Sequence, residues 1–213
     1  MATFANMLEG YRRFRSTGWT NQRARWEQLA DGQSPRVMVI ACSDSRVDPT
    51  EIFDADPGEI FVVRNVAALV PPFETSPGHH GVSAALEFAV QMLGVEEILV
   101  LGHGLCGGCH AALTQDMHGA PPGEGGFIAS WISLLDDARA DVIARYGENR
   151  SRDVGRAMEQ AAVKVSLANL RTFPWVREKE NCNVLSLKGA FFAISDGKLH
   201  LLDEQTGVFT PYE

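Results

Sequence analysis

Three short runs of almost unbroken apolar residues constrain this chain more than any other feature: Arg36-Val-Met-Val-Ile-Ala41, Ile60-Phe-Val-Val63 and Glu97-Ile-Leu-Val-Leu101. A strand with one wetted face alternates apolar and polar residues, so runs of this kind belong to strands buried on both faces. Between the last two lies His80 to Leu93, where Val82, Leu86, Phe88, Ala89 and Met92 recur at helical spacing. Strand, helix, strand in this rhythm is a crossover unit and builds a parallel sheet. Helical patterns return at Phe127–Tyr146 and Val154–Leu170, followed by apolar runs at Asn183–Leu187, Phe191–Ile194 and Leu199–Leu202. Ser195-Asp-Gly-Lys198 reads as the hairpin turn between the last two runs. The expected fold is α/β, with a central, mostly parallel β-sheet flanked by helices.

The first 30 residues read as two helices, with Phe4, Met7, Leu8, Tyr11 and Phe14 on one and Trp19, Arg23 and Trp26 on a second after Gly18. This arm is expected to pack on a partner subunit. Met117 to Gly126, rich in Gly and Pro, is the only long loop expected. With no repeat and no linker, residues 1–213 are expected to form a single domain carrying residues 1–30 as a helical arm.

A net charge of -8 argues against a nucleic-acid partner, which would need a basic face. No apolar run approaches the roughly 20 residues that span a bilayer, so no membrane partner is expected. The N-terminal residues lack the basic and apolar regions of a secretory signal, and a cytoplasmic location is expected. The four cysteines, Cys42, Cys106, Cys109 and Cys182, are too sparse for a disulfide scaffold. In a reducing compartment such residues are small core side chains, metal ligands or nucleophiles.

Two segments begin where an apolar run ends: Cys42-Ser-Asp44-Ser-Arg46, and Gly102-His103-Gly-Leu-Cys106-Gly-Gly108. Ligands of open parallel sheets bind beyond the carboxyl ends of the strands. Neighbouring strands lie about 4.8 Å apart, so loops leaving two of them can aim Cys42, His103 and Cys106 at one centre. Two thiolates and an imidazole suit zinc, and three protein ligands leave the fourth position that a catalytic site needs. From spacing alone two other readings stay open: buried core cysteines, and a redox pair at Cys106-Gly-Gly-Cys109.

Cys42-Ser-Asp44-Ser-Arg46 followed by His103-x-x-Cys106 resembles the signature of the β-class carbonic anhydrases. The resemblance extends in order through Gly32-Gln-Ser-Pro35, Pro57-Gly-Glu59, Phe61-Val-Val-Arg-Asn65 and Ala85-Leu-Glu-Phe-Ala89, strongly over residues 30 to 115 and loosely beyond. It implies a lyase (carbonate dehydratase) that interconverts carbon dioxide and bicarbonate, with Zn2+ as cofactor on Cys42, His103 and Cys106. Asp44 and Arg46 fall where the family has its catalytic dyad. Gln33, Phe61, Val66, Phe88 and Gly107 fall where the family lines the carbon dioxide pocket, although ordinary packing explains Phe61, Val66 and Phe88 equally well. That pocket is built at a dimer interface, so a homodimer or homotetramer is implied. Relatives of the same fold that hydrolyse carbonyl sulfide or carbon disulfide share these residues and are the alternative. A non-catalytic zinc protein, in which the metal only organises the fold, is a further one.

In such a site zinc generates hydroxide from water, which attacks carbon dioxide. Asp44 can accept a hydrogen bond from the nucleophile, and Arg46 can clamp Asp44 through two parallel bonds. If the clamp breaks, Asp44 can take the fourth metal position and close the site. Some family members switch this way with bicarbonate bound near a Trp three residues before the first zinc cysteine. Here that position is Val39, and Ala41 precedes Cys42 where those members have Gly, although Arg64 remains. An open site without that switch is expected. Ala68 stands where the family commonly has Asn. Cys109 and His110 lie outside the signature, and His79 and His80 are either proton relays or helix-start surface residues.

Two thiolates cancel the formal charge of the dication, so this centre should acidify water less than the three-histidine site of another carbonic anhydrase, whose bound water has a pKa of about 7. Hydration activity is therefore expected to rise with pH to a midpoint above that value. A pH–rate profile flat from about pH 6 to 9 would contradict it.

Overall fold

The computed structural model describes residues 2–148 and 151–213. Its strands are β1 (Val37–Cys42), β2 (Ile60–Asn65), β3 (Glu97–His103), β4 (Ser186–Ala193), β5 (Lys198–Asp203) and β6 (Val208–Pro211). They form one sheet in the order β2-β1-β3-β4-β5-β6. The first four strands run parallel, β5 pairs antiparallel with β4, and β6 pairs antiparallel with β5. The α/β fold with a mostly parallel sheet is therefore present.

The helices are α1 (Phe4–Arg13), α2 (Trp19–Asn21), α3 (Arg23–Leu29), α4 (Pro49–Ile52), α5 (Gly81–Glu87), α6 (Gly107–Thr114), α7 (Gly126–Ile132), α8 (Asp136–Tyr146), α9 (Arg152–Leu170) and α10 (Pro174–Asn181). The 19-residue α9 starts where the Ser151 side chain accepts a bond from the Val154 N–H, and it buries Val154, Met158, Ala162, Val163, Leu167 and Leu170. Val163, Leu167 and Leu170 of this stripe cover one face of the sheet, where Met38 and Ile40 of β1 and Ile98 and Val100 of β3 are fully buried. Val154, Met158 and Ala162 pack in the cluster that holds Cys42 and Cys106. On the other face the buried set shrinks to Val39, Ala41, Leu101 and Ala190, with Ile52, Phe53 and Phe192 half-buried against it.

Several expectations need correction. Gly18 does not separate two helices: a π-turn over Phe14–Gly18 carries α1 into α2, and the backbone leaves helical geometry only at Gln22 (φ -106, ψ 24). One glycine costs a helix only about 1 kcal/mol, and Phe14 stacks edge-on against Trp26 across the interruption (5.8 Å). Asn183–Leu187 and Phe191–Ile194 are not separate strands, because β4 runs through both from Ser186 to Ala193. Its Gly189 breaks the apolar pattern because a Cβ there would lie 3.0–3.1 Å from Leu167, Leu202 and Val163. The segment Phe127–Tyr146 divides into α7, a 3-10 turn at Ser133–Leu135, and α8. A second long loop, Leu69 to His80, carries Pro71, Pro72 and Pro77 and was not expected.

Two surfaces stay open. β2 lies at the edge of the sheet, and each of its residues is only half-buried, although the apolar run Ile60–Val63 reads as a strand buried on both faces. No residue of α1 is buried, and Phe4, Met7, Leu8, Tyr11 and Phe14 are exposed.

Gly102, one residue before the end of β3, faces α9 so closely that a Cβ would sit 2.5 Å from Cγ2 of Val163. Gly102→Ala is expected to destabilise the fold by about 1–3 kcal/mol through overpacking. Denaturant unfolding checks this, and an unchanged midpoint would contradict it.

Candidate metal centre

Register places the site. Ala41 of β1 lies opposite Leu101 of β3, so Cys42 emerges one residue beyond this pair and His103 two residues beyond it. Gly104 and Leu105 then turn the chain, Leu105 with a positive φ of 58°, and Cys106 becomes the N-cap of α6. Cys42, His103 and Cys106 are all buried, and one ligand atom from each lies within 4.8 Å of the other two.

The donor set fits zinc. Two sulfurs bonded to one tetrahedral ion at about 2.3 Å lie about 3.8 Å apart, and Sγ of Cys42 and Sγ of Cys106 are 3.9 Å apart. Nδ1 of His103 is 2.9 Å from the Gly104 carbonyl, which can only accept, so the proton sits on Nδ1. That leaves a lone pair on Nε2, and Nε2 is buried without a partner. An orphaned acceptor of this kind costs about 1–3 kcal/mol unless something binds it. The crowded thiols hold one another neutral in the absence of a cation. Cys42 is pushed up to about 12 by its bond with Cys106 and by burial. Cys106 is pushed up to about 12 chiefly by Cys109. For His103, burial favours the neutral ring, but the nearby Cys42 sulfur and the Gly104 carbonyl favour the charged ring more and raise its pKa. A dication reverses the thiol preference, because a coordinating thiol is deprotonated.

Around the cluster lies a supporting shell. Arg46 donates from Nε to Oδ1 of Asp44 (2.9 Å) and from the guanidinium to Oδ2 (2.6 Å), and it also reaches the Leu105 carbonyl (3.0 Å). These bonds, led by that of the Arg46 side chain, hold the Asp44 carboxyl well below the usual carboxylate range. Asp44 is not among the three groups that could hold a metal, and both its oxygens face Arg46. Arg64 donates to the carbonyls of Cys42 (2.9 Å) and Asp44 (2.7 Å) and to Asp48 (2.8 Å), so its donors brace this loop.

Glu159 is the residue that the sequence reading missed. It is buried on α9, and its Oε1 accepts from the Cys106 N–H at 3.1 Å. Burial raises its pKa, while the backbone N–H groups of Cys106 and Leu105 pull the other way. The available signal was a carboxylate set among Met158, Ala162 and Val163 on the apolar stripe of α9.

The remaining site residues divide. Val66 lies over the start of α6, its Cγ1 2.6 Å from where a Cβ of Gly108 would stand, and Gly107 is the first residue of α6. Phe61 pairs with Met38, four residues below Cys42 and so about 13 Å down the strand. Phe88 is exposed and its ring is 6.0 Å from that of Phe61. Gln33 is exposed before β1, at the end of the strand away from Cys42. Within one chain, then, Val66 and Gly107 adjoin the cluster, whereas Gln33 and Phe61 do not.

The family model described as "Carbonic anhydrase" matches residues 37–199. "Beta carbonic anhydrase 3" of Arabidopsis thaliana is 35% identical over 192 residues, covering 90% of this chain and 74% of that protein. The solved structure of the β-carbonic anhydrase CcaA matches with a TM-score of 0.89 and 30% identity, over 98% of this chain and 92% of that one. A structure described among two tetrameric β-carbonic anhydrases of Sordaria macrospora matches with a TM-score of 0.80 and 28% identity, over 97% of this chain and 98% of the other.

Removing the Glu159 carboxylate strands the N–H of Cys106 and loosens the turn that joins two of the three donors. Glu159→Ala is expected to weaken zinc retention by roughly 10- to 100-fold. Competition with a chelator of known affinity checks this, and an unchanged titration would contradict it.

Proposed function

This chain belongs to the β-class carbonic anhydrases, which are zinc lyases, and we propose that it hydrates carbon dioxide reversibly to bicarbonate and a proton at a zinc held by Cys42, His103 and Cys106. The observation that carries the assignment is the convergence of two sulfurs 3.9 Å apart with an unpartnered imidazole nitrogen. The chemistry that zinc supplies in such a site is acidification of water to a nucleophile near neutral pH.

The chain's own groups then orient and exclude. Asp44, held ionised by Arg46, has only acceptor lone pairs to offer beyond those the guanidinium takes, and so selects a partner that donates a proton to it. Because both Asp44 oxygens are engaged by Arg46, the carboxylate is kept off the fourth metal position and the site stays open. Asp44 in this role needs its charge: with its pKa depressed, it is lost as an acceptor only when pH falls well below the ordinary carboxylate range. The contribution of the pair to stability is small, since Arg46 is almost half exposed. Its value is positional.

The substrate pocket is completed across a homodimer, or within a homotetramer of two such dimers. Support comes from the separation of Gln33 and Phe61 from the cluster within one chain, from the half-exposed edge strand β2, and from the unburied apolar face of α1. In this reading residues 1–213 act as one domain, and the arm of residues 1–30 embraces the partner. No helix among the described residues is long and apolar enough to cross a membrane. Four free thiols, two of them metal donors, suit a reducing compartment such as the cytoplasm.

Asp44→Ala tests the assignment. Carbon dioxide hydration by stopped flow is expected to fall by roughly 100-fold or more while zinc content is unchanged. Full activity in this variant, or turnover of carbonyl sulfide or carbon disulfide in preference to carbon dioxide by the unmodified enzyme, would contradict it.

A further inference from the structure

Cys109 has no place in the three-residue cluster, yet it is buried beside it. Cys106 is the N-cap of α6, and Cys109 is the third residue of its first turn. These two positions, three residues apart, lie on one side of the first turn, and both side chains are buried in the same cluster. Gly107 and Gly108 separate them: Gly108 packs against Val66, whereas a Cβ at Gly107 would meet nothing within 4 Å, so that side of the turn is open. Cys106 also lines a cavity of about 590 Å³ shared with Gly107, His110, Arg152 and Phe191. Its exposed wall residues His110 and Arg152 open it to small solutes.

We propose that Cys106-Gly107-Gly108-Cys109 is a site of reversible oxidation, in which a peroxide converts Cys106 and Cys109 to a disulfide and withdraws Cys106 from the metal. The inference rests on the zinc reading given above. In the first step the Cys106 thiolate attacks one oxygen of hydrogen peroxide, the O–O bond breaks, and sulfenic acid and hydroxide result. In the second, the sulfur of Cys109 attacks that of Cys106, its thiol proton leaves with the departing hydroxyl as water, and the S–S bond forms. The two sulfurs lose two electrons in all, and the peroxide gains them. Cys42 is the competing partner, at 3.9 Å from Cys106. While zinc is bound, however, Cys42 is itself a ligand, whereas Cys109 is an uncommitted thiol.

The experiment uses zinc-replete protein in a Cys182→Ser background, which removes the one exposed thiol. Zinc content is measured first. The protein is then treated with hydrogen peroxide while zinc release is followed with a chromogenic chelator, and the cysteines are mapped by peptide mass spectrometry. The inference predicts loss of one zinc per chain in step with a Cys106–Cys109 disulfide, and recovery of metal binding after dithiothreitol and added zinc. In Cys109→Ala, a substitution by another small apolar residue, peroxide should instead carry Cys106 to sulfinic acid, and dithiothreitol should not restore metal binding. A Cys42–Cys106 disulfide in the map, zinc release with Cys109 still reduced, zinc retained through the treatment, or full recovery of Cys109→Ala would each overturn it. Protein that carries no zinc before peroxide is added would refute the metal reading itself, which separates the two failures.

Discussion

Parallel pairing between β1 and β3 is the constraint on which the rest of the molecule depends. The two strands are anchored by side chains with no solvent exposure, Met38 and Ile40 on one and Ile98 and Val100 on the other. At about 25 cal/mol per Å² of apolar surface, such burial is the dominant force fixing their register. Once Ala41 is opposite Leu101, the chain has little freedom in where Cys42 and His103 emerge. The Gly104-Leu105 turn has only to bring Cys106 back by one short step. The donors are thus placed by hydrophobic burial, and the chain reaches the metal-binding arrangement with most of its ordering entropy already offset.

What holds the ends of these strands is a second layer of polar contacts with strained backbone beneath it. Arg64, reaching from β2, ties down the loop after Cys42, and Glu159, reaching from α9, ties down the loop after His103. Ala67 and Ala68 follow β2 with positive φ values of 64° and 55°, which costs roughly 1–2 kcal/mol for each non-glycine residue. Asn65 stabilises this turn by bonding both the N–H and the carbonyl of Leu69, each at 2.8 Å. Ser166 of α9 donates to the Ala68 carbonyl. The turn keeps Val66 against the start of α6, where an added Cβ on Gly108 would collide with it. A backbone held in this way has few means of relaxing, which suits a site whose donors must meet within a fraction of an ångström.

The sequence disclosed the features that follow from period and composition. β1 and β3 were legible because strands buried on both faces carry no polar positions, and the metal donors were legible because they close such runs. β2 carries the same signal, yet it lies at the sheet edge, since an apolar run does not reveal what covers it. The division of β4 at Gly189 was misleading because the glycine answers to three side chains brought in from α9 and β5. β6 escaped notice because Val208–Pro211 is short and largely exposed. Glu159 was hidden for a different reason: its function depends on a backbone N–H 53 residues away in the chain, a pairing that no local pattern encodes.

The central claim is a single metal ion bound by two sulfurs and one imidazole nitrogen, with one position left for a light atom. X-ray absorption at the zinc edge of the purified, metal-loaded protein tests it most directly. The account predicts two sulfur scatterers near 2.3 Å with one imidazole nitrogen and one further oxygen or nitrogen at about 2.0–2.1 Å. A shell of four sulfurs, a shell without sulfur, or protein that binds no zinc would contradict it.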